Sequence, residues 1–122
     1  MLKKKIAAAL AAVMLVGAVM TTGAMAETVQ FGIAVPGYSD KSAMKSAPNV
    51  AANVSIERNT TGGYVDYRMA FGHGSFASGT VSLRNTGNIY INYNSGMGQQ
   101  YTRYYVNGNG ASGCLVSGTF TP

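Results

Sequence analysis

Apolar and polar residues alternate with a period of two over several short segments of the chain, which is the pattern of half-buried β-strands. The pattern is clearest in residues 79–120, which contain five of the eight tyrosines and which we expect to form four strands separated by turns of Gly, Asn and Ser. Residues 28–35, 49–58 and 64–71 show the same alternation upstream. No amphipathic helix is predicted after residue 26. The sequence therefore predicts about seven antiparallel strands.

Turn-forming residues separate these segments. Residues 59–63 (Asn-Thr-Thr-Gly-Gly) tolerate positive φ angles, and residues 85–87 (Asn-Thr-Gly) predict a short hairpin between the segments on either side. Residues 37–48 have no sustained period and contain Lys41 and Lys45, so we expect an exposed loop there. The sequence lacks the long helical crossovers that a parallel sheet needs. The pattern favours an all-β fold, a small antiparallel β-sandwich, with a small barrel as the alternative.

The first 26 residues have the composition of a secretory signal peptide. Three lysines at positions 3–5 precede an uncharged apolar run over residues 6–19, and residues 24–26 (Ala-Met-Ala) have the small-x-small pattern of a signal-peptidase site. The apolar run is shorter than the roughly 20 residues of a membrane-spanning helix, although a retained N-terminal anchor is the alternative. We expect cleavage between Ala26 and Glu27, secretion of the protein, and a single β-domain over residues 27–122.

Removal of the signal peptide changes the charge of the chain. Three of the nine basic residues are lost, which leaves six basic and four acidic residues and a net charge of +2. These charges are scattered along the sequence and form no basic cluster that would bind nucleic acid. No later apolar segment is long enough to span a membrane. Neither nucleic acid nor a membrane span is therefore expected in the mature protein.

The residues that could carry catalysis are few. His73 is the single histidine, lies between two glycines, and is expected in an exposed loop, which is poor preorganisation for a general base. Glu57 and Asp66 are the one plausible carboxylate pair for glycoside hydrolysis, but no enclosing cleft is predicted around them. One His, one Cys and four acids are a thin supply of metal ligands. We expect no enzymatic activity, no cofactor and no metal site, with calcium held by loop carbonyls and one Asp as the alternative.

The single cysteine, Cys114, excludes a disulfide within the chain. Period-two alternation puts Cys114, Val116 and Phe120 on one face of the last strand. A buried thiol that acts as a small apolar side chain is the favoured interpretation. A disulfide between two chains and a catalytic cysteine are the alternatives.

The C-terminal part of the chain resembles a family. Residues 104–106 (Tyr-Tyr-Val), a Gly/Asn/Ser turn and residues 115–122 (LVSGTFTP) are similar to the C-terminal end of small secreted β-sandwich proteins of Gram-positive bacteria, with a Phe at position 120 in place of the expected Trp. The resemblance implies an extracellular β-sandwich. It implies no activity, because that family has none assigned.

The tyrosines near the C-terminus indicate a binding surface. Alternation places Tyr101, Arg103 and Tyr105 on one side of the segment 100–107, and an unpaired guanidinium such as that of Arg103 is rarely buried. That side is therefore expected to be exposed beside Tyr90, whereas Tyr104 belongs to the core. Exposed Tyr, Arg and Asn are typical of binding surfaces. Cross-strand packing of the tyrosines and assembly through an uncharged edge strand are the alternatives.

These features predict a secreted, non-enzymatic binding protein that uses a Tyr/Asn-rich sheet face. Its expected partner is a protein, a glycan or another component of the cell envelope. A bacteriocin-like or toxin-like antagonist is the first alternative function, since small size and export permit it. An extracellular matrix protein that assembles through its β-strands is the second.

Overall fold

The structure, a computed structural model, describes residues 27–48 and 50–122. The predicted signal peptide and the predicted cleavage site up to Ala26 lie outside the described residues. Every regular element of the described part is a β-strand, and the strands form two antiparallel sheets. The prediction of an all-β antiparallel sandwich is confirmed.

Ten strands make up the two sheets. In chain order they are β1 (Val29–Val35), β2 (Gly37–Tyr38), β3 (Ala43–Met44), β4 (Ala52–Asn59), β5 (Tyr64–Gly72), β6 (Ser75–Phe76), β7 (Val81–Arg84), β8 (Gly87–Ile91), β9 (Arg103–Gly110) and β10 (Cys114–Thr121). Three of them, β2, β3 and β6, have only two residues. The remaining strands correspond to the seven predicted from alternation.

The four-stranded sheet has the order β1-β10-β4-β8, so the first and last strands of the described chain are neighbours. In the six-stranded sheet β9 and β5 are paired at the centre. The short strands β2 and β3 pair with the free side of β9, and β6 and β7 pair with the free side of β5.

The core lies between the two sheets and consists of the inward-facing residues of every long strand. Its apolar centre is formed by buried side chains from both sheets: Phe31, Ile33, Val35, Val54, Ile56, Val65, Tyr67, Met69, Ile91, Val106, Val116 and Phe120. Tyr104 is 2 % exposed, which confirms that its side of β9 faces the core. Cys114 is also buried, as expected, and its Sγ lies 3.1 Å from Oδ1 of Asn59.

The predicted hairpin at residues 85–87 is wrong. β7 pairs with β5 in the six-stranded sheet, whereas β8 pairs with β4 in the four-stranded sheet. The chain turns over the edge of the sandwich here, with Asn85 at a φ of 62°. Both strands direct apolar residues at the same core, but they do so from opposite sheets. The turn composition was interpreted correctly, and the partner of each strand was not.

The exposed loop predicted for residues 37–48 is also wrong in part. This segment forms β2 and β3, and Lys45 is 0 % exposed. The Lys45 backbone continues the pairing beside β9, with its N–H donating to the Thr102 carbonyl (2.9 Å) and its carbonyl accepting from the Tyr101 N–H (2.8 Å). The ammonium donates to the Val50 carbonyl at 2.6 Å and lies 4.6 Å from the centre of the Tyr93 ring.

A bulge at Glu57 of β4 lies where β4 and β10 come unusually close. The pairing of β10 with β4 shifts register between Ser117 and Gly118. A Cβ atom on Gly118 would overlap the carbonyl oxygen of Ser55 on β4. Glycine is needed here because the neighbouring backbone occupies the space of a side chain.

Candidate binding face

The structure does not bring the four predicted site residues together. Tyr90 lies on β8, on the outer surface of the four-stranded sheet, and is 66 % exposed. Arg103 and Tyr105 lie on β9, on the outer surface of the other sheet. Tyr101 precedes β9 in a turn with a φ of 62° and is 67 % exposed. The single patch assumed that β8 and β9 are neighbours, and they belong to different sheets.

Arg103 and Tyr105 do lie on the exposed side of β9, as predicted. The Arg103 guanidinium is 3.5 Å from the Glu27 carboxylate, whose Oε1 also accepts from the Met44 N–H at 2.6 Å. Tyr105 is half-buried by neighbours that the sequence did not indicate. These neighbours define a different candidate site on the outer surface of the six-stranded sheet.

Two rows of side chains cross this sheet from strand to strand. In the first row Tyr38 of β2 lies opposite Asn107 of β9, which lies opposite Arg68 of β5. In the second row Tyr105 of β9 lies opposite Ala70 of β5, which lies opposite Phe76 of β6. Residues directly opposite each other share a face of the sheet. The small Ala70 is 0 % exposed, so the larger side chains around it cover it completely.

The rings of this surface are packed against one another. The Tyr38 ring stacks on the His73 ring with 4.2 Å between centroids and an interplanar angle of 8°. Phe76 is nearly parallel to Tyr38 at 6.3 Å, and Tyr105 meets His73 edge to face at 5.5 Å. The Arg68 Cζ lies 3.2 Å from the centre of the Phe76 ring. We call this group, Tyr38, Arg68, His73, Phe76, Tyr105 and Asn107, the aromatic face.

His73 is exposed, as expected, but its loop is held in place. The loop between β5 and β6 is tied to β2, because the Gly74 N–H donates to the Tyr38 hydroxyl at 2.5 Å. The stacking of His73 on Tyr38 supports the same connection. The imidazole is therefore part of a packed surface and does not stand alone at a loop tip.

The buried side-chain amide of Asn107 orients Arg68. Asn107 is only 7 % exposed; its Oδ1 accepts from Arg68 Nε at 3.2 Å, and its Nδ2 donates to the Gly37 carbonyl at 3.0 Å. Asp66 lies two residues from Arg68 on the same side of β5, but its carboxylate accepts from Ser82 Oγ. In the described part of the chain no carboxylate lies within ion-pair distance of the Arg68 guanidinium. Its charge is thus free to meet a ligand.

The outer surface of the six-stranded sheet is positively charged. Three of the four arginines of the sequence, Arg68, Arg84 and Arg103, lie on outward positions of its strands. The opposing charges there are those of Asp66 and Glu27, of which Glu27 is beside Arg103. The surface therefore favours a ligand rich in hydrogen-bond acceptors or negative charge.

The carboxylate pair considered for hydrolysis does not form. Glu57 lies on β4 and Asp66 on β5, on outward positions of different sheets. Within residues 27–48 and 50–122 no three side chains of His, Cys, Asp or Glu are grouped as ligands for a metal ion. The same residues contain no helix of the length and apolarity that crossing a membrane requires.

The sequence did not indicate most of the aromatic face. Tyr38 and Phe76 lie on two-residue strands, which are too short to show a period, and His73 lies in a loop. Arg68 and Tyr105 lie on long strands whose outward side was predicted correctly. Their proximity depends on the pairing of β5 with β9, for which the sequence contained no signal.

Comparisons of the chain with protein families, with curated proteins and with solved structures found no match.

Proposed function

We propose that the protein is a secreted, non-enzymatic binding protein that holds its partner on the aromatic face. The observation that carries the proposal is the Arg68 guanidinium, which is fixed by Asn107, stacked on Phe76 and left without a carboxylate among the described residues. Tyr and Arg dominate the binding energy of many interfaces. Side chains that are already ordered lose little conformational entropy when a partner binds.

The chemistry of the face favours an acidic partner. The Tyr38–His73 stack covers one face of each ring, and Phe76 and Tyr105 pack against the same two rings, so these rings offer a ligand mainly their edges, which carry partial positive charge. Arg68 and Arg103 add full charges on the same surface. A neutral sugar that stacks on an open ring face fits this arrangement less well than an anionic glycan or an acidic protein surface. The proposed partner is thus an acidic component of the cell envelope.

Secretion is supported by the composition of residues 1–26 and by the resemblance to secreted proteins of Gram-positive bacteria. Sequencing the N-terminus of protein from the culture supernatant tests it, and the expected sequence is Glu-Thr-Val-Gln-Phe from Glu27. A supernatant form that begins before residue 20, or protein retained in the cell with residues 1–26 intact, would contradict the proposal.

Binding can be tested with fractionated cell envelopes and substitutions on the aromatic face. The probes are purified anionic wall glycan and an extract of surface proteins, each measured against immobilised protein. Arg68→Gln and Tyr105→Ala are expected to weaken binding about 30-fold or more, since interface hot spots of this kind contribute about 2 kcal/mol or more. Tyr64→Ala is the control, because Tyr64 is 66 % exposed on the same outer surface but four residues from Arg68 along β5.

Thermal melting of each variant shows whether the fold is intact. Equal loss of binding in the Tyr64→Ala variant would show that the contact is not made by the aromatic face. Failure of the unaltered protein to bind either fraction would overturn the proposed partner class.

A further inference from the structure

The edges of the two sheets differ in how they are protected. A strand at the edge of a sheet presents unpaired N–H and C=O groups that can pair with another chain. Natural proteins shorten such strands, charge them or cover them. The four-stranded sheet ends at β1 on one side and at β8 on the other.

The β1 edge is blocked by the loop that follows it. The Asp40 N–H donates to the Gly32 carbonyl at 3.0 Å, and the Asp40 Oδ1 accepts from the Gly32 N–H at 2.9 Å. These two hydrogen bonds occupy the middle of β1. Lys41 lies 3.6 Å from the other Asp40 oxygen and adds an opposite charge at the same place. An incoming strand would have to displace this loop.

The outer strands of the six-stranded sheet are short or charged. β2, β3 and β6 have two residues each. β7 has four residues and ends in the exposed Arg84. Short strands offer few hydrogen bonds to a partner, and charge disfavours close pairing.

β8 has none of these protections. It has five residues and contains neither a charged residue nor proline, and the chain is paired with a segment other than β4 only beyond it, where Tyr93 forms a bridge with Ser78. Its neighbour is β4 on one side, and within the described chain no strand pairs with the other side. The side chain of Tyr90, on the outer side of β8, is 66 % exposed. We propose that this edge binds the β8 edge of a second copy of the chain in antiparallel orientation.

A second copy is the partner that the chemistry of this edge selects. The edge carries no charge that would attract an oppositely charged protein, and an antiparallel strand is complementary to itself about a twofold axis. In the register centred on Ile89, all five residues are paired, and Asn88 lies opposite Tyr90 of the partner subunit. Asn–Tyr pairs then form on the outer surface, while the inward row continues the core face of the sheet.

The blocked β1 edge limits the assembly to two copies. Joining two β8 strands gives one continuous sheet of eight strands whose outer edges are both β1. Since each β1 edge is covered by Asp40, no further copy can add. This distinguishes a closed dimer from a β-assembled fibre. Both aromatic faces remain free, because they lie on the other sheet of each copy.

The contact is small, so the dimer is expected to be weak. Five residues extend about 17 Å at about 3.4 Å per residue. Stable protein interfaces bury about 1,200 Å² or more in total. Association should therefore depend on concentration and be visible at about 0.1–1 mM.

Sedimentation equilibrium of the purified protein tests the proposal with charge-swapped variants. Asn88→Lys/Tyr90→Lys and Asn88→Glu/Tyr90→Glu should each remain monomeric, because like charges would face each other across the axis. An equimolar mixture of the two variants should recover the dimer. Ala111→Lys/Ser112→Lys is the control, since it adds the same charge in the exposed turn between β9 and β10 and should dimerise like the unaltered protein.

Circular dichroism melting establishes that all variants are folded. A monomeric mass for the unaltered protein up to about 1 mM would overturn the proposal, and so would dimerisation of either variant alone. Failure of the mixture to associate would overturn the proposed register. Trimers and larger species would show that the β1 edge is not blocked.

Discussion

Replacing Tyr67 with phenylalanine is expected to stabilise the protein. Tyr67 lies on β5 with its side chain fully buried in the core. In the described part of the molecule its hydroxyl has no hydrogen-bond partner. A hydroxyl that leaves water without a partner in the folded state costs free energy, and Tyr67→Phe removes it while the ring still fills the same space.

The expected gain is about 1–3 kcal/mol in the free energy of unfolding, which is the desolvation cost of an unpaired buried polar group. For a domain of this size each kcal/mol corresponds to a rise of about 4–8 °C in Tm. Tyr104→Phe is the matched control. The Tyr104 hydroxyl is also buried but accepts from the Gln99 N–H at 2.9 Å, so its removal should lower stability by about 0.5–1.5 kcal/mol.

The difference between the Tyr67→Phe variant and the unaltered protein should also depend on pH. Burial, with a smaller contribution from the charge of Cys114, raises the pKa of Tyr67 above its ordinary value of about 10. Above pH 10 the unfolded chain loses this proton and the folded chain keeps it. The stability due to protonated Tyr67 is therefore complete below pH 10 and is lost as the pH rises further. The variant lacks this loss, so its advantage should grow above pH 10.

Urea denaturation followed by circular dichroism at neutral pH and again above pH 10 measures both effects. A lower free energy of unfolding for Tyr67→Phe at neutral pH would refute the reasoning about the unpaired hydroxyl. Parallel pH profiles for the variant and the unaltered protein would refute the reasoning about burial.

Three further predictions concern buried or crowded positions. Burial lowers the pKa of Lys45, so the unfolded chain holds more protons than the folded chain between the lowered pKa and about pH 10.5. The free energy of unfolding should therefore rise with pH in that window. Lys45→Met should abolish this rise, as measured by urea denaturation between about pH 7 and 10. The buried Cys114 thiol should resist thiol reagents in the native protein, and Cys114→Ala should cost about 1 kcal/mol in thermal unfolding; rapid labelling would contradict this. Gly118→Ala should cost about 3 kcal/mol because the added Cβ overlaps β4, whereas Gly79→Ala, whose Cβ meets nothing within 4 Å, should be nearly neutral.

Alternation in the sequence identified the long strands and their inward sides correctly. The alternation arises because each long strand has one face in the core and one face outside it. Tyr104 could therefore be assigned to the core, and Arg103 and Tyr105 to the outer face, without knowledge of which strands are neighbours. Alternation does not say to which sheet a strand belongs. β7 and β8 have the same inward pattern in different sheets, which is why the hairpin prediction failed.

The candidate site could be predicted only where it depends on long strands. The outward positions of Arg68 and Tyr105 follow from alternation. Tyr38 and Phe76 lie on short strands that form because the unpaired sides of β9 and β5 are available to them. Such strands depend on tertiary pairing, so the local sequence shows no alternation that would predict them. The burial of Lys45 has the same origin, because its backbone pairs beside β9.

The position of β10 determines when the protein can fold. It is the last strand of the described residues, yet it occupies an inner place in the four-stranded sheet, between β1 and β4. β1 has no other strand partner in that sheet, and its register places Val29 opposite Phe120. Contacts between such distant residues close slowly, because the entropy of the intervening chain is lost before they stabilise anything. The sandwich is therefore completed only once residues 114–121 have been synthesised, and without them β1 has no strand to pair with among the described residues.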